Sequence, residues 1–167
     1  KLRQEMRVEL RRLLKSTHVA SIFVTHDQEE AIILSDRIVL MNDGRIEQEG
    51  TPQAMYERPR SLFAAAFLGQ ANLLQCIVRA IDADGMATVD VAGHALRGVA
   101  CPGLVAGAPA TLVVKCERVQ LADAGTDPGN RVAARFEFAG YLGASVQLQC
   151  LLGDQRLVAM LPGVQSS

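Results

Sequence analysis

The run Ile22-Phe23-Val24-Thr25-His26-Asp27-Gln28-Glu29-Glu30-Ala31 constrains the fold of this chain more than any other stretch. Its β-branched and aromatic start predicts a buried strand over residues 19–24, followed by a polar turn. Asp27, with Glu30 three positions later, carries the pattern that caps a helix, here expected over residues 27–34. A strand turning directly into a helix is the repeating step of an α/β sheet. It sets His26 at the strand's carboxyl end, where open α/β sheets gather the groups that bind ligands.

The flanking residues extend that reading. Leu2, Met6, Leu10, Leu13 and Leu14 recur at helical spacing, predicting an amphipathic helix over residues 2–14 with that face buried. The remaining charges, Glu5, Arg7, Glu9, Arg11 and Arg12, are expected as its solvated face. Ser16-Thr17-His18 breaks the helix, with His18 in solvent. Further on, residues 37–41 and 45–49 flank Asn42-Asp43-Gly44, whose Asp-Gly pair suits a tight hairpin with positive φ. Thr51-Pro52 supplies a cap and a first-turn proline, and residues 61–68 make a short helix stopped by Gly69.

After Asn72 the pattern becomes short β-rich runs broken by glycine, the texture of a small barrel. Strands are predicted at residues 73–81, 87–91, 95–99, 110–121, 131–141, 145–152 and 156–161. Turns are predicted at Asp84-Gly85, Pro102-Gly103 and Gly153-Asp154, and residues 122–130 form the one loop long enough for flexibility. His94 is expected at a surface turn and Tyr141 packed on the barrel wall. The sequence therefore divides into an α/β portion, residues 1–70, and an all-β portion with the texture of a small barrel, residues 71–167.

Charge excludes one class of function. The formal net charge is −1, with ten basic and ten acidic side chains in residues 1–70 and seven and eight in the remainder. Neither portion is a basic patch, so no nucleic-acid partner is expected, and no anionic membrane surface either. Cys76, Cys101, Cys116 and Cys150 lack zinc-ligand spacing and a nearby histidine pair, so buried free thiols are expected and a metal site is not. No apolar run approaches the ~20 residues that span a bilayer. A cytoplasmic chain that meets a membrane only through a partner is expected.

Three motifs in succession, Thr25-His26-Asp27-Gln28-Glu29-Glu30-Ala31, Ser35-Asp36-Arg37-Ile38 and Met41-Asn42-Asp43-Gly44-Arg45-Ile46-Glu47-Gln48, carry a resemblance to a known family. They resemble the switch-histidine region of the nucleotide-binding subunit of ATP-binding-cassette (ABC) importers, in the family's order and without a gap. Gly69-Gln70-Ala71-Asn72 is similar to that family's exit linker. Residues 71–167 resemble the OB-like TOBE domain appended to such subunits, through Val113 to Val119, Gly140-Tyr141-Leu142-Gly143 and Leu157 to Gly163. Lys115, Cys116 and Arg118 depart from the Val-Arg-Pro-Glu-Asp usual in the first of these segments.

The resemblance implies the C-terminal part of a P-loop ATPase domain followed by a regulatory barrel, at the inner face of the cell membrane. It implies ATP and magnesium as cofactors of a longer parent. The implied partners are a second ATPase subunit in a homodimer, transmembrane permease subunits and, indirectly, a periplasmic solute-binding protein. Polyamine, ferric iron, thiosulfate and phosphonate importers are the types it resembles. His26 is the implied catalytic residue, contacting the γ-phosphate and helping to place the attacking water. An imidazole suits that task because it donates a hydrogen bond to a developing anion while keeping a second nitrogen to orient. Asp27 is read as a helix cap rather than a base.

The sequence lacks the Gly-x-x-x-x-Gly-Lys-Ser/Thr phosphate loop, a hydrophobic strand ending in Asp-Glu, and the Ser-Gly-Gly-Gln signature. The chain opens on Lys1 within a predicted helix and is expected to be a fragment, inactive alone and with no bound cofactor or metal. Its strand over residues 19–24 and first helix are expected to find cover from a second copy. Two other readings compete. One is an OB-type binder of nucleic acid or oligosaccharide, for which residues 71–167 offer only Phe136, Phe138 and Tyr141 as stacking groups. The other is a stand-alone OB-like module for dimerisation or small-solute binding without catalysis.

Overall fold

A computed structural model describes residues 2–17, 19–122 and 129–163, which fall into two compact units, Lys1–Gly69 and Gln70–Ser167. The first unit contains α1 (Leu2–Thr17), α2 (Gln28–Leu34), the strands β1 (Ile38–Asn42) and β2 (Arg45–Gly50), and the helices α3 (Pro52–Glu57) and α4 (Leu62–Phe67). Local chemistry fixes most of these boundaries. The Asp27 carboxylate accepts from the Glu30 amide at 3.1 Å, and the Thr51 and Ser61 hydroxyls accept from the Ala54 and Ala64 amides. Asp43 and Gly44 take φ of 47° and 75°, the left-handed pair that a two-residue hairpin between β1 and β2 requires. Ser16 and Thr17 close α1 by donating to the Leu13 carbonyl.

Ile38, Leu40, Met55, Ala64 and Leu68 form the core of this unit, with Ala31 and Phe67 packed against it. Gln48 is buried and uses both ends of its carboxamide. It donates to the Arg58 carbonyl at 3.0 Å and accepts from the Arg60 amide at 2.7 Å, fastening the α3–α4 connection to β2.

Two expectations for this unit fail. Residues 19–24 form no strand, and Ile22 and Val24 are 96% and 93% exposed. An extended segment becomes a strand only when a neighbour takes up its amides and carbonyls. Here β1 and β2 pair only with each other, and no described strand pairs with residues 19–24. The first helix also turns inward a face that, among the described residues, shares only the half-buried Leu14 with the expected one. Met6, Leu10 and Leu13 are exposed, whereas Arg7, read as solvated, is buried at 6%. The surface that α1 meets is that of α2, whose ends present carboxylates and a carbonyl rather than a broad apolar stripe.

The second unit is all β apart from a 3-10 helix (Cys116–Arg118). Its strands are β3 (Ala71–Ile81), β4 (Met86–Val91), β5 (His94–Val99), β6 (Pro109–Lys115), β7 (Arg135–Tyr141), β8 (Ser145–Leu152) and β9 (Gln155–Pro162). They form two antiparallel sheets ordered β5-β4-β3-β6 and β7-β8-β9. Strict alternation buries Asn72, Leu74, Cys76 and Val78 of β3 and Ala87, Val89 and Val91 of β4. With Leu96, Leu152 and Leu157 the apolar members make one continuous core.

Carboxamides stitch the two sheets where no backbone ladder joins them. Asn72 on β3 donates to the Val158 carbonyl of β9 at 2.8 Å and accepts from its amide at 2.7 Å. Gln155 on β9 treats Gln75 of β3 in the same way, at 3.0 and 2.6 Å. Each side chain acts as a piece of strand edge.

Several predicted limits shift. The strand expected over residues 110–121 stops at Lys115 and the one expected from residue 131 starts at Arg135. His94 opens β5, and Tyr141, expected on the barrel wall, is 72% exposed. All four cysteines are free, but only Cys76 and Cys116 are buried, and Cys101 is exposed. Burial pushes the thiols of Cys76 and Cys116 above the usual range. Among the described residues no helix is long and apolar enough to cross a membrane. His18 and residues 123–128 of the predicted flexible loop lie outside the described residues.

Candidate functional site

His26 occupies a bend between the extended segment and α2, and its side chain is exposed. The residues on either side of it are tied to each other. The Asp27 amide donates to Thr25 Oγ1 at 2.9 Å, reaching across the histidine. That hydroxyl donates to Glu30 Oε2 at 2.8 Å, and the Glu30 amide donates to Asp27 Oδ1. The usual reciprocal cap is thereby rerouted, with the Thr25 hydroxyl relaying between the Asp27 amide and the Glu30 carboxylate.

Arg7 of α1 closes the ring from outside. Its Nη2 donates to Asp27 Oδ2 at 2.6 Å and to Glu30 Oε1 at 3.4 Å, and its Nη1 to Glu29 Oε2 at 2.6 Å. One turn further along α1, Arg11 donates to the Leu34 carbonyl at the end of α2 and to Asp36 at 2.6 Å. Lys15, a turn beyond, holds both Asp36 oxygens at 2.8 Å. Three cations at intervals of four thus bind both ends of α2, matching acids at its N-terminus and a carbonyl at its C-terminus. Gln28 ties the same helix to the end of α4 by accepting from the Gly69 amide at 2.9 Å.

The electrostatics follow this geometry. The Glu30 amide above all, and then the Arg7 guanidinium, hold the Asp27 carboxyl below the usual carboxylate range against the opposing pull of partial burial. Burial by itself would weaken the hold of Arg7 on its proton, and the carboxylates of Glu29, Asp27 and Glu30 reverse that. Lys15, then Arg11, likewise lower Asp36. With both oxygens engaged, Asp27 is a capping and anchoring group, in keeping with its reading as a cap rather than a base.

The imidazole of His26, by contrast, makes no hydrogen bond among the described residues. The bend presents one free donor–acceptor ring on a fastened backbone. The sequence holds no phosphate loop, and among the described residues no group of three His, Cys, Asp or Glu side chains could hold a metal ion. Sequence periodicity missed Arg7, because an arginine on the polar side of an amphipathic helix reads as solvated. The spacing of Arg7, Arg11 and Lys15, set against Asp27, Glu29, Glu30 and Asp36, was the signal that could have found it.

Homologues over most of this chain are ATP-binding subunits for solute import. The spermidine/putrescine import ATP-binding protein PotA of Pseudomonas fluorescens is 40% identical over 163 residues, covering 97% of this chain and 43% of that relative. PotA 1 of Pseudomonas aeruginosa is 38% identical over 160 residues, 96% of this chain and 43% of the relative. PotA of Nitratidesulfovibrio vulgaris is 36% identical over 158 residues, 93% of this chain and again 43% of the relative. The chain therefore spans less than half the length of the curated relatives it matches. No protein-family model matches it.

Proposed function

We propose that this chain is the C-terminal part of the ATP-binding subunit of an ABC importer. Residues 1–70 then belong to the ATPase domain, with His26 as its switch histidine, and residues 71–167 form the TOBE domain. The observation that carries this reading is similarity to import ATP-binding proteins across nearly the whole chain, covering both units. That breadth supports an importer subunit over a stand-alone dimerisation or solute-binding module. The names of the relatives support a polyamine as the solute. In this reading two ATP-binding subunits pair and drive permease subunits supplied by a solute-binding protein.

His26 supplies one contact to a nucleotide, and its exposed ring, held on a fastened bend without an internal partner, suits that task. The phosphate cradle and the magnesium ligands must come from other residues of the assembled subunit, so the 167-residue chain alone neither holds ATP firmly nor turns it over.

The test grafts residues 1–167 in place of the matched portion of the Pseudomonas fluorescens relative. The graft is expected to hydrolyse ATP and restore polyamine uptake to cells lacking the native subunit, and His26→Ala should lower turnover at least about a hundredfold. A graft that hydrolyses ATP equally well with alanine at position 26 would refute the assigned site. Uptake of a different solute would refute the substrate.

A further inference from the structure

Arg7 is costly where it sits. Its side chain is 6% exposed, its Nε–H is buried with no acceptor among the described residues, and it faces three carboxylates. Buried ion pairs are weak contributors to stability because desolvation offsets much of their attraction. The arginine fixes something that apolar packing would not, namely direction: a planar guanidinium with parallel N–H groups fits a few orientations of its carboxylates.

We propose that Arg7 is a positioning residue for His26, the guanidinium closing a hydrogen-bonded ring through Asp27, Thr25 and Glu30 that sets the histidine's backbone while leaving its imidazole free. This rests on His26 being the working group of the site. The ring is continuous. Arg7 holds Asp27 and Glu30, Glu30 holds Thr25, Thr25 holds the Asp27 amide, and Asp27 returns to the Glu30 amide. His26 lies inside the Thr25–Asp27 link, so its Cα is fixed from both sides. The same contacts make α1 a lever, since moving that helix along its axis pulls on the bend.

Two measurements test this separately from the functional reading. In the 167-residue chain, Arg7→Met should speed hydrogen exchange at the Asp27 and Glu30 amides at least about tenfold, leaving amides of β3 and β4 unchanged. Arg7→Lys keeps the charge but not the fork, and should fall between. Unchanged exchange at Asp27 and Glu30 in the methionine variant would overturn the proposal, whatever His26 does. In the ATP-hydrolysing graft, Arg7→Met should lower kcat about tenfold to a hundredfold with KM for ATP within about twofold, and Arg7→Lys should recover part of it. Arg12→Ala, which breaks only the exposed pair with Glu9, should change neither. If His26→Ala abolishes turnover while Arg7→Met does not, the inference is wrong. If His26→Ala leaves turnover intact, the functional reading fails, and the exchange result alone decides whether Arg7 orders the bend.

Discussion

In Gln70–Ser167 every second residue of β3 from Asn72 to Val78 is buried, and the apolar ones meet partners from four other strands. In Lys1–Gly69, Ile22, Phe23 and Val24 are exposed and an arginine is among the buried side chains. Both units have apolar side chains to bury. They differ in whether the backbone has somewhere to go. A strand with a neighbour satisfies its amides and then holds its side chains in a common plane, so burial follows pairing. Residues 19–24 have the apolar side chains of a strand without a ladder, and the unit is organised by caps, a hairpin and a ring of charges instead.

The largest expected effect of this contrast is in hydrogen exchange of the intact chain. Amides in β3 and β4 should exchange on the order of a thousandfold more slowly than those of residues 19–24. Comparable protection in both stretches would mean that the extended segment has found a partner, and its dependence on protein concentration would show whether that partner is a second copy.

Core truncation comes next in size. Leu152→Ala empties a position that is 1% exposed in the larger core and should cost about 2–5 kcal/mol in urea denaturation. Met55→Ala, fully buried in the smaller core, should lie toward the lower end of about 2–5 kcal/mol because a cluster of five residues collapses more readily. Equal costs would break the distinction between a continuous core and a local one.

What could be read in the sequence follows the same division. Caps and turns were legible because their chemistry is local: Asp27, Thr51 and Ser61 each accept from the amide three residues on, and Asp43-Gly44 adopts the conformation its side chains allow. The alternating strands of the second unit were legible for the same reason, within a few residues at their ends. Residues 19–24 were misread because β-branched composition reports the preference of a segment and not the presence of its neighbour. The face of α1 was misread because periodicity identifies a stripe without saying which surface it will meet. The motif around His26 lies in one continuous stretch of sequence, whereas Arg7, twenty residues from Asp27 in the chain, has no local signature.

Side-chain stitching offers a finer test in the second unit. Asn72→Ala removes a buried carboxamide and both its bonds to Val158, leaving that amide and carbonyl without those partners, at a cost of about 1–3 kcal/mol. Gln155→Ala removes a half-buried counterpart whose partner residue, Gln75, is exposed, so its effect should be smaller. Denaturation of the two variants orders them. A larger loss at Gln155 would mean that burial of the carboxamide does not set the strength of the link between the sheets.

The smallest effect at neutral pH, and the sharpest between the units, concerns acid. Asp27 and Asp36 have carboxyls held below their ordinary value of 3.8, the first chiefly by the Glu30 amide and the second chiefly by Lys15. A carboxylate depressed on folding stabilises the fold above its unfolded value, and that contribution is lost as pH falls through the lower, folded one. Nothing should therefore change between neutrality and about pH 4, and the loss should come below 3.8. Asp90 is also depressed, by Arg79 and by the Gly93 amide, but it belongs to a unit held by a continuous apolar core. On titration followed by amide chemical shifts, α1 and the His26 bend should loosen first while β3 and β4 stay ordered. The reverse order would mean that charge pairing is incidental to the first unit and that its small apolar core carries the docking of α1 and α2 after all.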